Sequence, residues 1–265
     1  MTPAVPVLEP RPSLSVVAGP ERFPVRRAFC IGRNYAAHAL EMGGNPDKEP
    51  PFFFMKPAEA ILPVEPGVTT DLPYPPMTHD FHFEAELVVA LKSGGRNIPE
   101  AEAASHVYGL AVGLDMTRRD LQGEAKKHGR PWEVGKAADA SGPVGSVSPF
   151  NLASLKPEMR ITLSVDGHLR QNASLGHMIW SIPQQIAILS RYFELRAGDL
   201  IFTGTPEGVS ALTPGVTTRV ELAGTASVLT DAELKRLHAW CLDHEIALPP
   251  AALVAEAMET RELTL

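Results

Sequence analysis

The sequence has little cysteine and no long apolar run. Its two cysteines, Cys30 and Cys241, make neither a disulfide framework nor a zinc-binding pair, so we expect free thiols in a reducing compartment. No stretch reaches the roughly 18 consecutive apolar residues that a membrane-spanning helix needs. The N-terminus, MTPAVPVLEP, lacks the basic stretch and apolar run of a signal peptide. The sequence therefore predicts a cytoplasmic protein with no membrane partner.

Positive charge is also scarce, and several well-known motifs are missing. Lys and Arg number 24 against 31 Asp and Glu, for a net charge of −7. This balance argues against a nucleic-acid partner, because such binding relies on clustered cations. The chain lacks G-x-G-x-x-G after a strand, a G-x-S-x-G elbow and H-E-x-x-H, which argues against dinucleotide binding, serine hydrolysis and zincin chemistry. An enzyme that acts on a small molecule remains the best interpretation.

Proline and glycine, in contrast, are abundant. The 25 prolines and 21 glycines predict many turns and few long helices, which argues against a helix bundle or a coiled coil. Asp166-Gly167 between two apolar runs predicts a hairpin. Strands are predicted at 27–32, 52–55, 84–91, 108–116, 159–165, 169–173, 200–203 and 217–222. Helices are predicted at 99–107 and 182–193, and each of the segments 34–42 and 118–127 is predicted to be either helix or loop. We expect the chain to divide into an irregular segment (1–26), a main domain (27–222) and a helical C-terminal tail (223–265).

Two carboxylates stand close together in a predicted strand. Glu84 and Glu86 are two residues apart, so both side chains lie on one face, with Cα atoms roughly 6.5–7 Å apart. Burying such a pair is costly unless a cation neutralises it. Asp115, at the end of another apolar strand, is a third candidate ligand for a divalent cation such as Mg²⁺ or Mn²⁺. The alternative is a solvated sheet face, and the spacing alone does not choose between them.

Other residues have a chemical and a structural interpretation. His38 and Glu41 are three apart and would be neighbours on a helix, either as a general base with its orienting carboxylate or as a surface pair. Lys56, Lys136 and Arg119 could bind the carboxylate of an anionic substrate or could be surface charges. The segment 200–208 (LIFTGTPEG) could bind a carboxylate or be an ordinary turn. The three tryptophans are expected in the core: Trp132, Trp180 and Trp240.

Six segments, in this order, resemble the fumarylacetoacetate hydrolase superfamily. They cover about residues 27–222. PPFFFMKPAEA and YPPMTHDFHFEAELVVAL are similar to its fumarylpyruvate and acylpyruvate hydrolase branch. The segments are GRNYAAHALEMG, PPFFFMKPAEAI, FHFEAELVVAL, YGLAVGLDMTRRDLQ, KKHGRPWEVGKAADASGPVG and MIWSIPQQIAILSRYFELRAGDLIFTGTPEGV.

The resemblance implies a fold, an assembly and a role for each matched residue. The fold would be α+β, a mixed β-roll of the family's C-terminal-domain type, assembled as a homodimer. The residues implied for the divalent metal, Mg²⁺ or Mn²⁺, are Glu84, Glu86 and Asp115. Those implied for catalysis are His38, Glu41 and Lys136, with the first two on a segment, 38–50, that closes over the site. Those implied for substrate binding are Lys56, Arg119, Gln122 and Thr205.

The resemblance also implies a reaction on a small anionic 2,4-dioxo acid. The expected activity is hydrolysis of the C–C bond of an acylpyruvate, with fumarylpyruvate giving fumarate and pyruvate. Alternatives are oxaloacetate decarboxylation, another isomerase or hydratase reaction of a 2-oxo acid, and a metal-free binding or scaffold protein. Two features depart from the family pattern: Phe83 stands where relatives often have His, and the chain after about residue 223 does not resemble the usual family ending.

Overall fold

The computed structural model describes residues 10–17, 19–41, 43 and 50–223. The predicted helical tail lies outside the described residues from 224 onwards, together with Trp240 and Cys241. Residues 42 and 44–49 of the predicted closing segment also lie outside them. Within the described part, no helix is long and apolar enough to cross a membrane.

The predicted strands and helices between residues 27 and 223 are present in the predicted order, with ends that differ from prediction by at most two residues. The structure also contains short elements that were not predicted, such as the strands at 61–63, 81–83 and 142–144. The strands are β1 Ser13–Ser15, β2 Arg22–Pro24, β3 Arg27–Gly32, β4 Phe52–Lys56, β5 Ile61–Pro63, β6 Phe81–Phe83, β7 Ala85–Leu91, β8 Val107–Leu114, β9 Thr117–Arg118, β10 Gly142–Val144, β11 Ser148–Pro149, β12 Arg160–Val165, β13 His168–Ser174, β14 Asp199–Phe202, β15 Ser210–Ala211 and β16 Thr218–Ala223. The α-helices are α1 Ala36–Glu41, α2 Arg119–Lys127, α3 Glu133–Lys136 and α4 Ile182–Tyr192. Short 3-10 helices cover Ala58–Ala60, Glu100–His106, Leu152–Ser154 and Leu175–His177.

A mixed sheet organises the described part of the chain. Its 8 strands run in the order β4-β3-β14-β7-β8-β10-β5, with β11 also paired to β8. The β3–β14 and β10–β5 pairs are parallel and the other pairs are antiparallel. Two 3-stranded sheets, β13-β12-β16 and β15-β6-β9, complete the architecture, which confirms the predicted α+β class and mixed sheet. The segment predicted to be irregular contains an antiparallel pair, β1 and β2.

Strand β7 is buried on both faces, which explains its nearly continuous apolar sequence. Its odd-numbered residues, such as Leu87 and Val89, belong to one core cluster, whereas Val88 and Ala90 belong to another on the opposite face. Glu86 shares the even-numbered face, so this carboxylate lies at the end of an apolar layer. The fold therefore buries an acidic side chain where apolar packing gives way to a cavity.

The predicted hairpin is formed by β12 and β13. Val165 pairs with His168 across a two-residue turn in which Asp166 and Gly167 have φ values of 49° and 76°. These positive values suit a glycine and an aspartate in a tight hairpin turn. The hairpin brings Gln171 of β13 into a buried position, where the residue is 1% exposed.

Candidate active site

The register between β7 and β8 assembles the three carboxylates. Glu86 pairs with Gly113, and one step beyond the ladder the Asp115 backbone N–H donates to the Glu84 carbonyl at 2.9 Å. Glu84 and Asp115 thus lie opposite each other at the end of two paired strands. One carboxylate oxygen from each of Glu84, Glu86 and Asp115 lies within 4.8 Å of the others, and all three residues are buried. The predicted grouping of the acidic residues is therefore present.

Three cationic side chains surround two of these carboxylates. Lys136 Nζ lies 2.7 Å from Glu84 Oε2 and 2.7 Å from Asp115 Oδ2. Arg119 Nη2 lies 2.5 Å from Glu84 Oε1, and Lys56 Nζ lies 2.9 Å from Asp115 Oδ1. The Lys136 ammonium consequently joins Glu84 and Asp115.

Glu86 has a different environment. Its Oε2 accepts a hydrogen bond from the Gly204 backbone N–H at 2.7 Å, and none of the described cations forms an ion pair with it. Burial, followed by the charges of Asp115 and Glu84, raises the pKa of Glu86 well above its ordinary value. Burial also acts on Glu84, but the charges of Lys136 and Arg119 outweigh it and hold the pKa of Glu84 below its ordinary value. Three buried hard oxygen donors, one of them without a cationic partner, form a donor set that suits a divalent cation.

His38 and Glu41 form the predicted pair on α1. His38 Nδ1 lies 3.2 Å from Glu41 Oε2, and the imidazole is buried whereas the carboxylate is partly exposed. Burial lowers the pKa of His38 from 6.5, although Glu84 and Glu41 act in the opposite direction. The imidazole is therefore neutral at pH 7. Because the Nδ1 hydrogen is donated to Glu41, Nε2 is the nitrogen that can accept a proton.

The loop after β14 is anchored by a residue that sequence reasoning missed. Gln171 Oε1 accepts from the Ala85 backbone N–H at 2.9 Å, while Gln171 Nε2 donates to Thr205 Oγ1 and to the Pro206 carbonyl, both at 2.9 Å. Gln171 thereby ties the loop that carries Gly204 and Thr205 to the first residue of β7. Its position in a polar hairpin strand contained no signal for this role.

One cavity collects most of the predicted residues. Lys56 does not line it: it lies behind Asp115, fully buried, where it donates to Ser141 Oγ at 2.9 Å and contacts the carbonyls of Met116 and Lys136. Glu41 does not line it either and reaches it through His38. The predicted residues that line the cavity are His38, Glu84, Glu86, Asp115, Arg119, Gln122, Lys136 and Thr205.

The same cavity has further walls that sequence reasoning did not assign. Trp132 was predicted in the core, and this prediction is wrong because Trp132 is only half-buried and lines the cavity. Trp132 stands in the segment between α2 and α3, where no core layer covers it. The other unassigned lining side chains are Ile31, Arg33, Phe52, Phe54 and Lys126. Lys126 had a usable signal, because Arg119, Gln122 and Lys126 follow the i, i+3, i+7 pattern of one helix face.

A mixed sheet that buries three carboxylates beside a histidine–glutamate pair defines a candidate metal-dependent enzyme site. Comparison with known proteins agrees with this class. The sequence profile described as "Fumarylacetoacetate (FAA) hydrolase C-terminal" matches residues 27–232. The chain belongs to this family.

Relatives with different activities match the chain. A fumarylpyruvate hydrolase of Ralstonia sp is 41% identical over 176 residues, which cover 66% of this chain and 89% of that protein. A mitochondrial oxaloacetate tautomerase of Oryza sativa subsp. japonica is 38% identical over 207 residues, which cover 78% of this chain and 90% of that protein. The crystal structure of fumarylpyruvate hydrolase from Pseudomonas aeruginosa in complex with Mn²⁺ and pyruvate is 50% identical, with a TM-score of 0.79, covering 83% of this chain and 94% of that chain.

Proposed function

We propose that the protein is a divalent-metal-dependent hydrolase that cleaves the C–C bond of an acylpyruvate, with fumarylpyruvate as the substrate. The observation that carries this proposal is the cluster of Glu84, Glu86 and Asp115, buried within 4.8 Å of one another in the cavity that His38 also lines. The similarity to fumarylpyruvate hydrolases, one of them solved with Mn²⁺ and pyruvate, supports the same metal and substrate.

The three carboxylates would hold Mg²⁺ or Mn²⁺ as hard oxygen ligands. The bound cation would supply Lewis-acid stabilisation of the negative charge that develops on the pyruvate part of the substrate. Arg119 would contact the substrate as well as Glu84, since its buried Nε has no hydrogen-bond partner among the described residues. Gln122 and Thr205 would complete the substrate-binding set, whereas Lys56, predicted to bind substrate, does not line the cavity and would position Asp115 instead.

His38 would act as the general base. With Nδ1 held by Glu41, Nε2 takes a proton from a water molecule as its oxygen attacks the carbonyl carbon beyond the pyruvate unit. Lys136 and Gln122 would donate hydrogen bonds to the oxyanion that forms. The C–C bond then breaks, its electron pair leaves with the pyruvate fragment as the enolate, and protonation of that fragment gives pyruvate beside the fumarate product.

A second candidate is an isomerase reaction, the tautomerisation of oxaloacetate. The observation that favours it is the 38% identity to mitochondrial oxaloacetate tautomerases over 78% of this chain. Such a reaction moves one proton between carbon and oxygen and needs no attacking water. His38 would then exchange that proton with the substrate.

One assay separates these functions. The purified protein is incubated with fumarylpyruvate, acetylpyruvate and oxaloacetate, with Mn²⁺ or with EDTA, while the enol absorbance and the released acids are followed. We expect Mn²⁺-dependent formation of fumarate and pyruvate in equal amounts from fumarylpyruvate. Faster loss of the oxaloacetate enol, with no cleavage of either acylpyruvate, would instead establish the tautomerase. The predicted homodimer and cytoplasmic location stay predictions.

A further inference from the structure

Helix α2 carries three polar side chains along one face of the cavity: Arg119, Gln122 and Lys126. Their i, i+3, i+7 spacing places them in one row on the helix surface. Arg119 contacts Glu84, and Lys126 lies about 10 Å farther along the helix axis, at about 1.5 Å per residue. Arg119 is thus at the carboxylate cluster, and Lys126 is two helical turns away from it.

The cavity wall next to Lys126 is aromatic. Lys126 Nζ lies 5.1 Å from the centre of the Trp132 ring. Trp132 packs edge-on against Phe52, with ring centres 5.2 Å apart, and against Phe54, with ring centres 5.8 Å apart. A planar, unsaturated acyl chain would find an apolar surface here, between the carboxylate cluster and the Lys126 ammonium.

Lys126 is one of several cations that line the cavity, together with Arg33 and Arg119. None of the described acidic side chains forms an ion pair with it, whereas Arg33 lines the same cavity and lies with its Cζ 5.7 Å from the Phe52 ring centre. Burial, followed by the charges of Arg33 and Arg119, lowers the pKa of Lys126 to about 8. Lys126 therefore remains mainly protonated at pH 7, and an anion bound beside it would supply the counter-charge that none of the described acidic side chains provides through an ion pair.

We propose that Lys126 is a specificity-determining residue that binds the far carboxylate of a dicarboxylic acylpyruvate. This inference rests on the proposed function and extends it from the reacting end of the substrate to the opposite end. The separation along α2 fits a seven-carbon diacid such as fumarylpyruvate, whose two carboxylates stand at the ends of an extended chain. Oxaloacetate, with four carbons, is too short to reach both ends of this row.

The test measures binding with two ligands that cannot be cleaved, because they have no second oxo group. These are 2-oxoheptanedioate and 2-oxoheptanoate, which have the same length and differ only in the terminal carboxylate. Calorimetry in the presence of Mn²⁺ gives the ratio of their Kd values for the wild type, Lys126→Met, Lys126→Arg and Lys127→Met. Lys127 is the matched control, since it is the adjacent lysine of the same helix and is exposed, outside the cavity lining.

We expect the wild type to prefer the diacid and Lys126→Met to lose about tenfold to hundredfold of that preference, the usual effect of losing a hydrogen bond to a charged group. Lys126→Arg and Lys127→Met should keep it. Binding of the monoacid shows that each variant is folded. A wild type without diacid preference, or a Lys126→Met variant that retains it, overturns the inference.

The outcome is independent of whether the protein hydrolyses acylpyruvates. Cleavage of fumarylpyruvate without a Lys126-dependent preference would leave the proposed function standing and remove the role of Lys126. A Lys126-dependent preference without cleavage of fumarylpyruvate would support the role of Lys126 and contradict the proposed hydrolase function.

Discussion

At the scale of single residues, the three carboxylates of the site differ in the groups that they contact. Glu84 and Asp115 are joined by the Lys136 ammonium, while Glu86 receives one backbone N–H and lies close to both other carboxylates. Substitution of different members of the same predicted metal site should therefore have different effects on the metal-free protein. The spacing of the three residues in the sequence gives no indication of this difference.

Glu86→Gln and Glu84→Gln form a matched pair that tests this difference. Glu86→Gln removes a charge that burial and two neighbouring carboxylates disfavour, so the Tm of the metal-free protein should hold or rise. Glu84→Gln takes the carboxylate from Lys136 and Arg119 and should cost about 3 kcal/mol, since it leaves buried cations short of a partner. Both variants should lose the increase in Tm that Mn²⁺ gives the wild type.

Thermal unfolding with EDTA and with Mn²⁺ measures both effects. Equal destabilisation of the two metal-free variants would contradict the assignment of the unpaired charge to Glu86. An unchanged Mn²⁺ response in Glu86→Gln would remove that residue from the metal site.

His38→Ala tests which step the imidazole serves. If His38 activates water, hydrolysis of an acylpyruvate should fall by about 10²–10⁴, the usual contribution of a general base. Decarboxylation of oxaloacetate needs no activated water and should fall much less in the same variant. The measurement is the ratio of the two activities at saturating Mg²⁺, and an equal loss of both would mean that His38 only positions the substrate.

The pH dependence of hydrolysis should report the protonation of His38. The neutral imidazole is the active form, so activity should increase with pH through the pKa of His38 and level off above it. Burial places that pKa below 6.5, and Glu41 acts to raise it. Glu41→Gln should therefore move the acidic limb of the profile to lower pH while lowering the maximum rate mildly. A limb that stays in place in Glu41→Gln would contradict the coupling of the two residues.

At the scale of elements, the turn after β14 positions site groups through its backbone. Gly204 has a φ of 96°, and its N–H points to Glu86. A Cβ atom at this position would lie 2.7 Å from the Asn34 Cβ. Asn34 in turn holds the turn by donating to the Thr203 carbonyl at 2.8 Å. A glycine is thus required both by the conformation and by the close approach of the segment before α1.

Gly204→Ala should lower both stability and activity, with Gly215→Ala as the matched control. Gly215 has a similar φ of 91°, but a Cβ there would meet nothing within 4 Å. The control therefore experiences only the backbone cost, roughly 1–2 kcal/mol, whereas Gly204→Ala adds the contact with Asn34 and displaces the N–H bound to Glu86. Tm and kcat/KM for both variants measure the difference, and equal effects would show that the turn does not position the site.

At the scale of the whole molecule, distant parts of the chain close the central sheet. The parallel pair β3–β14 joins segments separated by more than 170 residues, and Asp199 at the start of β14 is fully buried between them. Its carboxylate lies 2.8 Å from Arg26 Nη1 and 3.1 Å from Arg27 Nε. The same strand leads directly into the turn that holds Glu86, so this closure also supports the site.

Asp199→Asn should destabilise the protein by about 1–3 kcal/mol, because charged hydrogen bonds to two arginines are lost in a buried place. Glu194→Gln is the control: its pair with Arg196 is solvent-exposed, and we expect no measurable change there. Chemical denaturation of both variants tests the prediction. An Asp199→Asn variant that is as stable as the wild type would contradict it.

Local patterns in the sequence determined the elements and the family. The turn Asp166-Gly167, the apolar runs of β7 and β8, and the common face of Glu84 and Glu86 all follow from interactions between near neighbours, which spacing encodes directly. The ordered motifs carried the family resemblance and, with it, most of the predicted residues that line the cavity.

Tertiary structure decided how the charges are partnered. The pairing register of two strands sets Asp115 opposite Glu84, and packing of α3 inserts Lys136 between them. Gln171 reaches the site from a hairpin, and Lys126 reaches the cavity from the far end of α2. Except for the helix-face row that includes Lys126, no periodicity in the sequence encodes these contacts, because they depend on the relative placement of segments far apart in the chain. Burial then fixes which carboxylate lacks a cation.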